Sequence, residues 1–403
     1  MKKILMILFH FPPASIVGIH RSQRFIKYLH KMNWDITVLT IKENLYPPSM
    51  PIDNTLSLKV PETVKIWKTN ILPIFPFNIP DSSINWFFPA VKTGKKIIKM
   101  IDPDIIYSSA PPWTSHLIGC NLKKWSNKPL IVDFRDPWAQ APFKQKSWNK
   151  IEKKIHNRLE SYVVKEADAI IVNNEWTRKD LLKHHAFIEN KLHVINNGFD
   201  IEDYKDIFVN NSKNEKFIIT HAGNLYGGRD PSPFLEAIKG LIEEGRLISN
   251  ETKVQFVGIK ENPFGIRDKV RMLKLEDVVE ILPSIPHKEC LNILASSTVL
   301  LIFQGGTHLS IPSKLYEYMA IGKPILALTG EGATRDLIIQ ERLGKVVEAY
   351  DPSEIKNSLI ELYQEWKIQE TKSSEERIIP ERYEAQYLTL QFHNMLNDIL
   401  TKK

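Results

Sequence analysis

Short, almost unbroken apolar runs alternate with amphipathic stretches along the whole chain, and few folds accept that pattern. Ile4–Phe9, Trp34–Thr40, Ile105–Ser108, Leu130–Phe134, Ala169–Val172 and Leu192–Ile195 read as strands that are apolar on both faces. Arg21–Lys31, Ala90–Ile101, Lys150–Ala167 and Asn174–His184 carry helical spacing between them. A strand apolar on both faces has to be covered on both, which calls for a parallel sheet with helices above and below. The pattern pauses over Asp203–Lys216, where Asn210-Asn211-Ser212-Lys213-Asn214 is polar throughout. It resumes with Phe217–His221, Lys253–Val257, Val279–Leu282, Val299–Phe303, Pro324–Leu328 and Gly344–Val347 as strands, and with helices such as Pro233–Gly240 and Ser313–Ile321. The expected fold class is α/β: two doubly wound domains of similar size facing across a cleft. Their expected bounds are residues 1–205 and 217–380, with a linker over 206–216 and a terminal helix, 381–403, packing back on the first domain.

Composition narrows the function classes. At 43% hydrophobic and 25% charged, the 403 residues are those of a globular protein, neither fibrous nor disordered. Two cysteines, Cys120 and Cys290, are too few for a disulfide framework or a cysteine-rich zinc site. Lys and Arg exceed Asp and Glu by 54 to 47, a net charge of +7 that favours anionic partners: phosphates, anionic lipids or nucleic acid. Met1-Lys2-Lys3 followed by Ile4–Phe9 imitates a signal peptide, but His10 and Pro12-Pro13 interrupt the run, and a buried first strand explains it better. No apolar run reaches the ~18 residues that a membrane-spanning helix needs.

In such sheets ligands bind beyond the carboxyl ends of the strands, so the loops there carry the functional argument. His10–Arg21 holds Pro12-Pro13 and Gly18 ahead of a helix, which suits either an anion site at the helix N-terminus or a plain strand-to-helix turn. Ala222-Gly223-Asn224-Leu225-Tyr226-Gly227-Gly228-Arg229 follows the first strand of the second domain. Its glycines could cradle a diphosphate on backbone N–H groups with Arg229 as a clamp; the alternative is a long turn with an exposed arginine. It fits neither the Gly-Lys-Ser/Thr phosphate loop nor the Gly-x-Gly-x-x-Gly dinucleotide pattern. Gly305–Pro324 runs from a strand through a glycine-rich loop into a helix, with Ser313 as the expected N-cap. Lys314 and Glu317, three residues apart, share one helical face: Lys314 can meet a phosphate while Glu317 accepts hydrogen bonds from vicinal ribose hydroxyls, unless the two are merely a surface ion pair.

Taken together these blocks resemble glycosyltransferase family 4, sugar-nucleotide enzymes with two Rossmann-like domains in the GT-B arrangement. Glu317-Tyr318-Met319-Ala320-Ile321-Gly322-Lys323-Pro324 is similar to the family signature, Ala222–Arg229 to its phosphate loop, and Val194–Asp200 to the segment closing its first domain. Asp133-Phe134-Arg135-Asp136-Pro137-Trp138 resembles a block of members that build bacterial surface polysaccharides. The resemblance implies a retaining transfer without metal or other cofactor. The nucleotide-sugar donor, with UDP favoured, would be held by Arg229, Lys314, Leu315 and Glu317, with Gly223, Asn224 and, under the pyrophosphate, Gly18. The base would lie near Ile285 in Ser284–Pro286. Two cations and helix N-termini would neutralise the departing diphosphate, a role metals take elsewhere.

Two departures stand out. Leu309 occupies the place of the first glutamate in the Glu-x7-Glu of many members, and Ile106–Pro112 lacks their first-domain histidine, with His116 falling in the following helix. Arg21, Arg135 and Asp136 are the expected acceptor residues, with Asp136 as a candidate proton acceptor; a cap or an ion pair with Arg135 is its other reading. Asp102-Pro103-Asp104 matches Asp-x-Asp but precedes a strand, so it reads as a turn, and neither His184-His185 nor the other histidines have metal-ligand spacing. Lys92, Lys95, Lys96 and Lys99 line one helical face, either solvated or set against anionic inner-leaflet lipids, with Trp86, Phe87 and Phe88 upstream to enter the interface. The expected acceptor is a lipid-linked glycan, the expected location the cytoplasm or inner membrane face, and nucleic acid is not an expected partner. A sugar-nucleotide epimerase of the same architecture and a non-catalytic assembly scaffold are the alternatives.

Overall fold

The computed structural model describes residues 1–76, 78–140, 147–207, 214–259, 264–369 and 379–402. They divide into two compact units, Met1–Gly198 with Arg382–Lys403, and Phe199–Glu381. The polar tract at 210–213 lies outside the described residues. The first unit ends at Gly198, not at 205, and the second begins with buried Phe199 and Tyr204, set edge to face 6.4 Å apart.

The first unit is a seven-stranded parallel sheet in the order β3 (Lys65–Thr69), β2 (Trp34–Ile41), β1 (Lys2–Ile7), β4 (Ile105–Ala110), β5 (Leu130–Phe134), β6 (Ala169–Val172) and β7 (Leu192–Val194). Side chains of a strand alternate between faces, and the buried residues separate accordingly. Leu5, Ile7, Leu39, Ile106 and Val132 go to one core, and Ile4, Met6, Val38, Ile105 and Ile131 to the other. The first core is covered by α2 (Phe87–Ile101), α3 (Thr114–Ser126), α4 (Lys150–Glu166) and α5 (Glu175–His184). The second is covered by α1 (Val17–Lys31) and by the terminal helix, whose Phe392 lies 4.7 Å from the ring of Phe25 and 5.3 Å from that of Tyr107. β3 was not anticipated: Lys65-Ile66-Trp67-Lys68 is a half-polar edge strand with no buried run to announce it.

The second unit is a six-stranded parallel sheet in the order β10 (Val279–Leu282), β9 (Thr252–Val257), β8 (Phe217–Ala222), β11 (Val299–Gln304), β12 (Ile325–Thr329) and β13 (Gly344–Val347). Its helices are α6 (Ser232–Glu243), α7 (Ile266–Met272), α8 (His287–Ala295), α9 (Ser313–Ile321), α10 (Ala333–Gln340) and α11 (Pro352–Gln369); the helix on the first unit is α12 (Ala385–Thr401). Strand order reverses between β1 and β4 in the first sheet and between β8 and β11 in the second. At such a switch point the flanking loops turn to opposite faces and leave a crevice.

Candidate active site

In the second unit the loops after β8 and β11 meet backbone to backbone. A side chain on Gly305 would run into the Gly228 carbonyl, and one on Gly228 would lie 2.9 Å from the Gly305 carbonyl carbon. This close approach is what the two glycine clusters serve. Gly223 has φ +106, and the Lys314 ammonium rests directly on it, hydrogen-bonded to the Ala222 carbonyl. Tyr318, one helical turn on, is fully buried; its hydroxyl accepts the Ala222 N–H at 2.9 Å and ties α9 to the end of β8.

Arg229 is the other cation. Its Nη2 donates to Gln304 Oε1 at 2.8 Å, and its guanidinium lies 4.2 Å from the Tyr226 ring centre. Burial, and then Arg229, push the Lys314 ammonium down to about 8. Burial and Lys314 hold the His221 imidazole well below its usual range; its Nδ1 is 2.9 Å from the Leu301 carbonyl, and its Nε2 is buried without a hydrogen-bond partner. Asn224 Oδ1 and Gln304 Nε2 are likewise buried and unpaired. Glu317 is half-buried with His287 Nε2 at 3.4 Å, and Ile285 is half-buried in the loop after β10. The structure thus brings Gly223, Asn224, Arg229, Lys314 and Glu317 to one crevice.

Two expectations for this unit need correction. Leu315 is fully buried and its N–H bonds to the Pro312 carbonyl, so it offers a ligand neither side chain nor donor. Pro312, in extended backbone, is the N-cap of α9; Ser313 is already helical and makes no cap hydrogen bond. Leu309 packs inside at 2% exposure, which suits its apolar side chain. Gln304 and Tyr226 were missed; the signal for Gln304 was a single polar residue ending an otherwise apolar strand.

In the first unit Arg21 is not an acceptor residue. It is buried, paired with Asp133 through Nε–Oδ2 at 2.8 Å and Nη2–Oδ1 at 3.2 Å, and Nη1 donates to the Asn196 carbonyl at 2.7 Å. Tyr107 also donates to Asp133, at 2.5 Å, so this set locks α1 to β4 and β5. Arg135 folds over Gly18 at the start of α1, with Nε donating to the Ala110 carbonyl at 3.2 Å and Nη2 to that of Pro111. Asp136 beside it is exposed. His116 lies inside α3, fully buried, with Nδ1 2.8 Å from Ser108 Oγ; burial, and then Arg135, lower its pKa to about 3.

The remaining signals resolve into structure. Asp102 caps α2 with φ 45 and pairs with Lys128 at 2.7 Å, while Asp104 accepts the Lys3 N–H at 2.7 Å. His185 forms a buried pair with Glu160 at 3.0 Å. Trp86 does not reach the surface: it is fully buried and donates to Thr69 Oγ1 at 2.7 Å, whereas Phe88 is 48% exposed and stacks on Phe75 at 5.6 Å. Lys95 and Lys99 lie over the Trp125 ring and Lys96 over that of Trp67. Among the described residues no group of three His, Cys, Asp or Glu side chains could hold a metal ion, and no helix is long and apolar enough to cross a membrane.

Two doubly wound units, the second with two cations and a glycine loop at its switch point, define a GT-B enzyme. Residues 22–203 match the sequence model of Glycosyltransferase Family 4, and residues 202–379 match that of Glycosyl transferases group 1. The chain belongs to the family 4 glycosyltransferases, and it is a glycosyltransferase. The same fold occurs in the sucrose-phosphate synthase of Thermosynechococcus elongatus, with 16% identity, 100% of both chains covered and a TM-score of 0.69. It occurs in HepE of Anabaena solved with UDP and glucose, with 15% identity, 99% of this chain and 100% of that one covered and a TM-score of 0.66. The lipopolysaccharide outer core galactosyltransferase WaaB shares it as well, at 14% identity, 99% of each chain and a TM-score of 0.65. No curated protein matches the sequence.

Proposed function

We propose that this glycosyltransferase moves a hexose or N-acetylhexosamine from a nucleotide-diphosphate sugar, UDP favoured, to a lipid-linked glycan in surface-polysaccharide assembly, with retention and without a metal. The observation that carries the reading is the pairing of Lys314, seated on Gly223, with Arg229 at the switch point of the second sheet. Two cations and a glycine loop suit a diphosphate, and Glu317 on the same helix can accept from ribose hydroxyls. In the transfer, the bond from the anomeric carbon to the diphosphate oxygen breaks and one to the acceptor oxygen forms. The acceptor proton passes to the leaving phosphate, with exposed Asp136 as the alternative acceptor. HepE, solved with UDP and glucose, and WaaB, named for lipopolysaccharide core, support the donor and acceptor classes.

Lys92, Lys96 and Lys99 are exposed on α2, and with half-buried Lys95 they form a face suited to anionic inner-leaflet lipids, each contributing ~1 kcal/mol. The test is product analysis with UDP- and GDP-hexoses and N-acetylhexosamines, in EDTA, with lipid-linked saccharide as acceptor. The reading expects acceptor-dependent transfer with the donor's anomeric configuration kept. Conversion of the donor without acceptor would make the protein an epimerase, and inversion or a strict need for divalent metal would overturn the mechanism.

A further inference from the structure

We infer that Gln304 is a positioning residue for the donor diphosphate, acting through Arg229; the inference rests on the functional reading above. Gln304 closes β11 at 3% exposure and holds the Arg229 guanidinium through Oε1 at 2.8 Å. A guanidinium only donates, so the amide has to turn its oxygen toward Arg229, which leaves Nε2 on the other side. That Nε2 is buried and has no hydrogen-bond partner.

A buried donor without a partner costs stability. What the amide offers is restraint without neutralisation. Among the described residues no carboxylate is ion-paired to Arg229, whose other contact is the face of Tyr226 at 4.2 Å. A glutamate at 304 would hold the guanidinium equally well but cancel its charge. A methionine would release it. Glutamine keeps the cation both fixed and whole for an incoming anion, and the stability forgone at Nε2 is the trace of that role.

The test compares wild type, Gln304→Glu and Gln304→Met by thermal melting and by calorimetric titration of UDP and GDP, with uridine and guanosine as phosphate-free controls. The melting curve of each variant separates a loss of binding from a loss of fold. Nucleotide affinity should fall about tenfold or more in Gln304→Glu, which loses one charge-assisted contact, and by less in Gln304→Met. Nucleoside binding should stay unchanged in both. A structural role predicts another pattern: glutamate, the closest in shape, would be mildest, and affinity would fall only together with stability. That pattern, or unchanged affinity in both variants, overturns the inference. Failure of wild type to bind any nucleotide would sink the functional reading itself and is thereby distinguishable.

Discussion

Raising the pH from 7 to 9 should weaken nucleotide-diphosphate binding through one side chain. Lys314 is pushed down to about 8, by burial first and by Arg229 second. A diphosphate beside it supplies opposite charge and returns its pKa toward the usual ~10.4. The free protein would then be about nine-tenths protonated at Lys314 at pH 7 and about one-tenth at pH 9, while the complex stays protonated, so linkage makes binding about tenfold weaker at pH 9. At pH 8 the same difference appears as uptake of about half a proton per UDP bound. Stability moves the other way. The folded pKa lies below the unfolded one, so the cost of burying the ammonium is fully present below about 8 and is relieved as the pH rises from there toward the unfolded value. That cost is at most about 3 kcal/mol, and the difference in stability between wild type and Lys314→Met isolates it. Calorimetry of UDP binding at pH 7, 8 and 9, in buffers of different ionisation enthalpy, reads the affinity and the proton together. Lys314→Arg, which does not titrate in this range, should flatten both. PH-independent affinity with no proton uptake in wild type, or the same slope in Lys314→Arg, would refute the reasoning.

Gly223→Ala should remove nucleotide binding more than it removes stability, since its Cβ collides with the Lys314 ammonium at a backbone φ of +106; titration beside a melting curve checks it. Phe392→Ala opens the cavity between Phe25 and Tyr107 and should destabilise the first unit by about 3–5 kcal/mol, measured by denaturant unfolding. Asp133→Asn leaves the Arg21 guanidinium buried without its carboxylate and should cost about 3–5 kcal/mol while leaving UDP affinity intact in the molecules still folded.

What was legible in the sequence is what is decided locally. Leu130–Phe134, Ala169–Val172, Val279–Leu282 and Ser313–Ile321 have the bounds read for them, because the strands are apolar but for Asp133 and Glu280 and α9 is bracketed by Pro312 and by Gly322 at φ +75. Lys314 and Glu317 were readable for the same reason, as spacing within one helix. The errors come from partners distant in sequence. Arg21, beside a glycine at a helix start, looks like an anion ligand until Asp133, 112 residues away, takes it. Trp86, between polar residues and two phenylalanines, looks like surface until Thr69 accepts its indole N–H. Gln304 gains meaning only from Arg229, 75 residues earlier, and β3 only from its pairing with β2.

The measurement that tests the central claim most directly is UDP and GDP titration, in EDTA, into wild type and the Arg229→Ala/Lys314→Ala double variant. If the two cations hold the donor diphosphate, wild type binds one of the nucleotides without metal. The folded double variant should then lose roughly a hundredfold or more, two charge-assisted contacts at about 1.5–3 kcal/mol each. Equal affinity in the two proteins, or wild-type binding that appears only when a divalent cation is supplied, would contradict the account.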